Sequence, residues 1–325
     1  MTDGFGRVID YLRISVTDKC NLRCRYCMPQ EGVALIPHEQ LLTLEEISRV
    51  VRIMEGMGIR KVRITGGEPL VRKNLTKLIS DIHALAGIGE IAMTTNGVLF
   101  AGCAEELKDA GLTGVNISLD TLRPEVFREI TGSGGHGKVM QAIDNALGQG
   151  MRVKINCVPC REFNEQDIVE LAELARTRKV DVRYIELMPM GCGKDFHGIP
   201  SDEILQRLTE RYGECAHSCE KRGNGPAQYY DFAGFLGKIG FISPMSHKFC
   251  NECNRVRLTA EGRLKLCLHY NHGLELKPLL RGSASDDEIG DAIQEALQGK
   301  PREHDFAHVQ QAEDSEQRKM VQIGG

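Results

Sequence analysis

The organising motif of this chain is Cys20-Asn-Leu-Arg-Cys24-Arg-Tyr-Cys27, which holds three thiols in one short segment. It follows an alternating apolar run over residues 11–16, so we expect it to form a loop at the end of a strand. Thiolates are soft ligands that select iron–sulfur clusters or zinc over hard cations. Three cysteines can hold three irons of a cubane 4Fe–4S cluster and leave the fourth iron open. A zinc loop that borrows a distant fourth ligand is the alternative.

The Cys-x3-Cys-x2-Cys spacing, with an aromatic residue just before the last cysteine, resembles the radical S-adenosylmethionine (SAM) superfamily. The resemblance implies that the open iron binds SAM, and that an electron from the cluster cleaves SAM to methionine and a 5′-deoxyadenosyl radical. Gly66-Gly-Glu-Pro69 resembles the segment of that superfamily that binds the SAM amine. The residues implied to contact SAM are Tyr26, Gly67, Glu68, Ser118 and Met188.

Composition and charge narrow the class of protein. The chain has 325 residues and a net charge of −4, so no global basic field would attract nucleic acid. Its 12 cysteines argue for metal ligation in a reducing compartment rather than for disulfides. No segment resembles a signal peptide or a membrane span, so we expect a soluble cytoplasmic protein.

Strands and helices alternate through the first part of the chain, as in βα units built around parallel strands. The predicted strands cover residues 11–16, 61–65, 91–95, 115–119, 153–158 and 182–187. A Thr-x-x-Glu capping box at Thr43 predicts the first helix. Units of this length fit either a doubly wound sheet or an incomplete barrel.

The alternation within the strands distinguishes these two folds. Leu12 and Ile14 share one face of the first strand, while Arg13 and Ser15 share the other, and later strands alternate similarly. Parallel strands that helices cover on both faces would instead be almost continuously apolar. We therefore predict an α/β fold, an incomplete (β/α)6 TIM-like barrel with a polar concave face. Residues 1–211 would form the barrel and residues 212–325 a C-terminal iron–sulfur region.

Several basic side chains are expected on the concave face, where unpaired buried cations would be costly. They are Arg13, Lys61, Arg63, Lys154 and Arg183. Together they indicate a polyanionic ligand such as a triphosphate. The alternative is that internal carboxylates such as Glu68 or Glu186 neutralise them.

The second cysteine-rich segment is Phe249-Cys250-Asn-Glu-Cys253-Asn-Arg255-Val-Arg257, followed by Cys267. A second open cluster and a zinc ribbon completed by His247 or His269 both fit this pattern. Arg255 and Arg257 alternate, so both would point the same way from an extended segment.

With the first triplet, this segment closely resembles the GTP 3′,8-cyclase family of molybdenum cofactor biosynthesis. The resemblance extends over about residues 8–270, and the final Ile323-Gly-Gly325 resembles the family's Gly-Gly tail. It implies conversion of GTP to (8S)-3′,8-cyclo-7,8-dihydroguanosine 5′-triphosphate. The deoxyadenosyl radical would take a hydrogen atom from carbon 3′ of the ribose, and the resulting radical would attack carbon 8 of guanine.

The same resemblance assigns a site. Cys20, Cys24 and Cys27 would hold one 4Fe–4S cluster, and Cys250, Cys253 and Cys267 a second whose open iron meets guanine. The residues implied to contact GTP are Arg13, Arg63, Thr94, Lys154, Arg255, Val256 and Arg257, of which Arg13, Arg255 and Arg257 would be catalytic. The implied partners are an electron donor, a cyclic pyranopterin monophosphate synthase that accepts the product, and a second copy in a homodimer.

Two other functions remain as alternatives. One is a radical SAM enzyme that modifies peptides, although such enzymes usually carry more C-terminal cysteines and lack the Asn-Arg-x-Arg segment. The other is an iron–sulfur or zinc scaffold without SAM chemistry, which would leave the cationic face unexplained. Six cysteines remain: Cys103, Cys157, Cys160, Cys192, Cys215 and Cys219. The pairs Cys157/Cys160 and Cys215/Cys219 are expected to be free thiols, with an extra metal site or a redox pair as the alternative.

Overall fold

The fold is built on one continuous sheet. The computed structural model describes residues 1–220, 222–223, 225–306 and 314–324. The described strands are β1 (Tyr11–Ser15), β2 (Lys61–Thr65), β3 (Glu90–Thr95), β4 (Gly114–Ser118), β5 (Arg152–Cys157), β6 (Val180–Ile185), β7 (Cys215–His217), β8 (Gln228–Phe232), β9 (Ile239–Ile242), β10 (Arg255–Leu258), β11 (Arg263–Lys265) and β12 (Gly273–Glu275).

The strand order confirms the predicted incomplete barrel. The sheet runs β12-β11-β10-β1-β2-β3-β4-β5-β6-β9-β8-β7, and neighbouring strands are parallel from β10 through to β9. Among the described residues the two outermost strands do not pair with each other, so the sheet stays open.

The parallel part of the sheet is wider than the six predicted strands. β10 pairs with β1 and β9 pairs with β6, so the region after residue 212 extends both sides of the barrel. Residues of both predicted regions also share one hydrophobic core. The partners are far apart in sequence, and a local pattern does not indicate which strand edge a later segment will join.

The described helices are α1 (Leu44–Gly56), α2 (Leu75–His83), α3 (Ala104–Asp109), α4 (Pro124–Thr131), α5 (His136–Gly148), α6 (Ile168–Leu171), α7 (Glu173–Thr177), α8 (Ser201–Tyr212), α9 (Lys277–Arg281), α10 (Asp286–Gln298) and α11 (Met320–Ile323). The predicted capping box is present, since Thr43 and Glu46 exchange side-chain-to-backbone hydrogen bonds at the start of α1. None of the helices described has the length and apolarity that crossing a membrane requires.

The two faces of the strands divide as the alternation predicts. Leu12 and Ile14 are completely buried and pack in the core with helix residues such as Ile47 and Val50. Arg13, which lies between them, faces a cavity on the other side. In β1 the apolar face therefore packs on helices and the face that carries Arg13 is turned toward the concave side.

Candidate active site

The first cysteine triplet lies in the loop after β1, at the carboxyl end of the parallel strands. All three thiols line a cavity of about 370 Å³, within the usual range for small-molecule sites. The loop is fixed to the end of α4, since the N–H of Arg23 donates to the carbonyl of Thr131 at 2.8 Å and that of Arg25 to Ile130 at 3.0 Å. The motif is therefore held at the cavity by backbone hydrogen bonds.

A buried hydrogen bond joins the same loop to β4 and β5. The hydroxyl of Tyr26 donates to Oδ2 of Asp120 at 2.7 Å, and Oδ1 of Asp120 accepts from the N–H of Val158 at 2.8 Å. Burial raises the pKa of Asp120 to about 6, against the effect of these donors. Tyr26 thus has an anchoring role that the sequence pattern did not reveal.

The three cysteines of the first triplet are half-buried. Burial raises the pKa of Cys20, raises that of Cys24 well above its ordinary value, and raises that of Cys27 to about 12, with neighbouring thiols adding to the last two shifts. The N–H of Leu22 also donates to Sγ of Cys20 at 3.4 Å. Clustered thiols with N–H donors on sulfur have the donor chemistry that an iron–sulfur cluster requires.

The second triplet lines the same cavity but has different surroundings. Cys250 and Cys253 precede β10, and Cys267 follows β11. Burial alone would raise the pKa of Cys253, but the positive charges of Lys300 and Arg255 lower it to about 7. These thiols also have the donor chemistry for a cluster, in a cationic rather than an acidic setting.

The zinc alternatives require ligands that converge on one point. Within the described ranges, no three His, Cys, Asp or Glu side chains converge closely enough to hold a single metal ion. Cubane ligands bind different irons and need not converge in this way. His269 does line the cavity, and its Nε2 is buried without a hydrogen-bond partner, whereas His247 does not line it.

Three arginines form a row across neighbouring strands. The parallel register places Arg257 of β10 beside Arg13 of β1, and Arg13 beside Arg63 of β2. Burial lowers the pKa of Arg257 to about 10, with Arg255 adding to the shift, and burial and Arg257 lower that of Arg13 well below its ordinary value. The guanidinium groups of these three arginines and of Arg255 all line the cavity, so its wall favours an anion.

The two carboxylates considered as internal partners are held by other groups. The carboxylate of Glu68 accepts from Oγ1 of Thr95 at 2.8 Å and from the N–H of Asn96 at 2.7 Å. The carboxylate of Glu186 accepts from Ser246 and from the N–H of Met245. Glu68 and Glu186 therefore bind neutral donors of the protein rather than serving as the main counter-charge of the cavity arginines.

The prediction that Lys61 faces the cavity is wrong. It lies at the opposite end of β2 and forms an ion pair with Glu90 at 3.9 Å. Alternation correctly assigned it to the polar face of the strand. Alternation does not predict how far a side chain lies from the end of the barrel that carries the cavity.

Lys154 lies outside the main cavity, on a smaller one of about 20 Å³. Arg63 and Arg183 line both cavities, so the two adjoin. Nζ of Lys154 donates to the hydroxyl of Tyr229 at 3.1 Å and to the carbonyl of Arg222. Burial, with Arg183 adding, lowers the pKa of Lys154 to about 7.

The other predicted ligand residues divide into two groups. Tyr26, Gly67, Thr94, Ser118 and Met188 line the main cavity. Among the residues that the structure describes, Glu68 and Val256 are not part of the cavity lining; both side chains are completely buried, and Val256 belongs to the core. Their contacts with SAM and GTP stay predictions.

A glycine is required where the second strand ends. A Cβ on Gly67 would lie 2.4 Å from the carbonyl oxygen of Lys19, in the loop that carries the first triplet. The backbone of Glu68 is held against the same loop, since its N–H donates to the carbonyl of Lys19 at 2.8 Å. Close backbone approach, which glycine permits, joins the two motifs.

The C-terminal segment enters the same cavity. Met320 and Val321 of α11 line it, and the carbonyl of Gly324 accepts from Nη1 of Arg257 at 2.8 Å. Gly324 has φ +71, and a Cβ there would lie 2.8 Å from Oγ1 of Thr65. Gly325, the other glycine of the expected tail, lies outside the described residues. The helix α11 was not predicted, because only resemblance pointed to this segment.

Comparisons with known proteins agree with this geometry. Residues 14–175 match the Radical SAM superfamily, and residues 180–306 match Molybdenum Cofactor Synthesis C. A GTP 3′,8-cyclase of Clostridium perfringens (strain SM101 / Type A) is 46% identical over 325 residues, and one of Syntrophomonas wolfei is 48% identical over 331 residues. Both alignments cover 100% of each chain.

Solved structures show the same fold at low sequence identity. The structure of Streptococcus suis SuiB bound to S-adenosylmethionine superposes with a TM-score of 0.61 at 16% identity. The match covers 90% of this chain and 67% of SuiB. This likeness shows the fold alone.

Proposed function

The chain belongs to the GTP 3′,8-cyclase family of the radical SAM superfamily, and on that premise we propose how its own residues perform the reaction. The reaction is the conversion of GTP to (8S)-3′,8-cyclo-7,8-dihydroguanosine 5′-triphosphate, the first step of molybdenum cofactor biosynthesis. The observation that carries the proposal is a single cavity lined by both cysteine triplets and by the row of Arg257, Arg13 and Arg63.

Each triplet would hold one 4Fe–4S cluster, with Cys20, Cys24 and Cys27 at the first and Cys250, Cys253 and Cys267 at the second. Their clustering at one cavity supports this assignment, and so does the N–H donor on Cys20. When bound, SAM and the first cluster supply the one-electron cleavage chemistry that starts the cyclisation.

The protein's contribution on the SAM side is orientation. Tyr26, the backbone of Gly67, Ser118 and Met188 line the cavity next to the first triplet and would hold SAM there. Glu68 is bound from behind by Thr95 and Asn96, so it would fix this wall rather than receive the SAM amine directly. Fixing the reactants in this way is the usual source of a large part of the rate enhancement.

On the GTP side, the arginine row and Arg255 would bind phosphate oxygens and purine acceptors, a role suited to the planar guanidinium fork. Nε of Arg63 and Nε of Arg255 are buried without a hydrogen-bond partner in the part of the chain described, so both retain a donor for a ligand. Thr94 lines the same wall. Lys154 would contribute from the adjoining cavity, and Val256 through its backbone in β10.

An anaerobic assay tests the proposal. Reconstituted protein is mixed with dithionite, SAM and GTP, and the products are separated by chromatography and identified by mass spectrometry. We expect 5′-deoxyadenosine together with a cyclised nucleotide. Deoxyadenosine without nucleotide turnover would favour a peptide-modifying enzyme, and the absence of deoxyadenosine would favour a scaffold without SAM chemistry.

The expected cellular setting remains part of the proposal. We propose a soluble cytoplasmic enzyme that receives electrons from a separate donor and passes its product to a cyclic pyranopterin monophosphate synthase. A homodimer is expected from the family. Purification from the soluble fraction, followed by light scattering under anaerobic conditions, would test the location and the oligomeric state.

A further inference from the structure

Lys300 is a buried base behind the second cysteine triplet. It follows the end of α10, is only 2% exposed and lines the main cavity. Lysine is rarely buried so completely without a partner of opposite charge. In the described ranges, no carboxylate lies within ion-pair distance of its ammonium group.

Backbone carbonyls take the place of an acid. Nζ of Lys300 donates to the carbonyl of Arg255 at 3.1 Å and to the carbonyl of Leu266. Arg255 follows Cys253 by two residues, and Leu266 directly precedes Cys267. One ammonium group therefore joins the two segments that carry these thiols.

A second base holds the remaining cysteine. Nη1 of Arg7 donates to the carbonyl of Cys250 at 2.8 Å, and Nη2 donates to the carbonyl of Pro301, next to Lys300, at 2.7 Å. Unlike that of Lys300, the positive charge of Arg7 is paired with an acid, because its Nε forms an ion pair with Asp3 at 2.6 Å. Of these two bases, Lys300 is the one whose positive charge has no paired acid among the described residues.

The charge of Lys300 lies close to the thiols. Its Nζ is held by the carbonyls of Arg255 and Leu266, which lie within two residues of Cys253 and Cys267. Net charge and hydrogen bonding near an iron–sulfur cluster set its reduction potential, and groups beyond the ligands fix the ligand geometry. A buried positive charge stabilises the more negative, reduced form of a cluster.

We propose that Lys300 is a positioning residue of the second cluster, one that ties together two ligand-bearing segments and raises the reduction potential of the cluster. This inference rests on the proposed function, since it requires a cluster at the second triplet.

The test uses the full-length chain in which Cys20, Cys24 and Cys27 are all replaced by alanine, so that only the second cluster can form. Lys300→Gln removes the charge but keeps a hydrogen-bond donor, Lys300→Met removes both, and Lys300→Arg keeps the charge. After anaerobic reconstitution, iron content is measured, and the midpoint potential is obtained by a redox titration followed by electron paramagnetic resonance.

We expect Lys300→Gln and Lys300→Met to shift the midpoint potential to more negative values, and Lys300→Met also to lose iron faster to a chelator. Lys300→Arg should remain near the parent potential. Lys238→Met is the matched control. Lys238 is also buried, but it directly precedes β9, which is separated from β10 by six strands of the sheet, and it pairs with Asp231. It should leave the potential unchanged.

The possible failures are distinguishable. Unchanged potentials in the Gln and Met variants at full iron content would overturn the inference, as would a shift in Lys300→Arg as large as that in Lys300→Gln. A parent chain that binds no iron at the second triplet would instead overturn the two-cluster assignment on which the inference rests.

Discussion

The first cysteine triplet occupies a single loop beside buried acids, whereas the second is drawn from separated segments and lies beside buried bases. Near the first are Asp120 and Glu68, whose negative charges raise the pKa of Cys24 and Cys20 respectively, in addition to burial. Near the second are Lys300 and Arg255. The ligand atoms are the same, but acids add to the raised pKa of Cys20 and Cys24 at the first triplet, whereas bases lower the pKa of Cys253 at the second.

This difference supports the proposal that one cavity holds two clusters with separate tasks. Negative surroundings disfavour the reduced form of a cluster and so make it a stronger reductant, which suits cleavage of SAM. Positive surroundings favour anions, which suits a nucleotide. The arginine row extends the positive field from the second triplet toward β2.

The largest expected effect comes from removing one ligand of each triplet in turn. Cys24→Ser should abolish deoxyadenosine formation, because SAM cleavage requires the first cluster. Cys253→Ser should abolish the cyclised nucleotide while slow deoxyadenosine formation continues. Iron content and both products are measured in the same anaerobic assay. Equal loss of deoxyadenosine in the two variants would remove the proposed division of tasks.

Removing an arginine next to the second triplet should have a smaller effect than removing a ligand. Arg257→Ala should lower the rate of cyclisation by about 100-fold or more, the usual result of removing one group that stabilises charge in a transition state. Iron content should stay at the wild-type level. Arg263→Ala on neighbouring β11 is the control, because Arg263 pairs with Glu275 and does not line the cavity. Loss of iron in Arg257→Ala would indicate a structural role instead.

On the acidic side, Asp120→Ala should lower the free energy of unfolding by about 1–3 kcal/mol, because it leaves the Tyr26 hydroxyl and the Val158 N–H without a buried acceptor. Chemical denaturation under anaerobic conditions measures this change. Exposed Asp109→Ala should change it by less than about 0.5 kcal/mol. Similar values for the two variants would contradict the anchoring role of the acid.

The smallest effect should come from a change in pH that removes the charge of Lys154, the residue at the far end of the basic region. Burial lowers the pKa of Lys154 to about 7, so the side chain loses its charge as the pH rises through 7. An anion binds the charged form, so affinity for inorganic tripolyphosphate should fall by about tenfold between pH 7 and 9. Lys154→Arg stays charged and should show a smaller fall, measured by isothermal titration calorimetry. Parallel pH profiles would exclude Lys154 from the anion site.

Much of the fold could be predicted because its signals are local. Alternation located β1 to β6 within about two residues, a usual margin for such boundaries. The capping box at Thr43 identified the start of α1, and cysteine spacing identified both triplets. Each signal depends on residues a few positions apart, which share a face, a turn or a ligand set.

What could not be predicted depends on pairing between distant segments. The sequence did not reveal that β10 lies beside β1, and so did not reveal the common depth of Arg257, Arg13 and Arg63. Lys300 follows an ordinary helix end and shows no motif. Alternation assigns a side chain to a face but not to a depth, which is why Lys61 was placed in the cavity.

During translation, β1 leaves the ribosome long before β10, the strand that covers its outer edge. Until then, the nascent chain exposes a strand edge with unpaired backbone groups, a known template for association between chains. The arginine row and the second triplet therefore form only after β10 and the segment that follows it have been synthesised. Metal loaded into the first loop earlier would enter a barrel that is still open to water and oxygen.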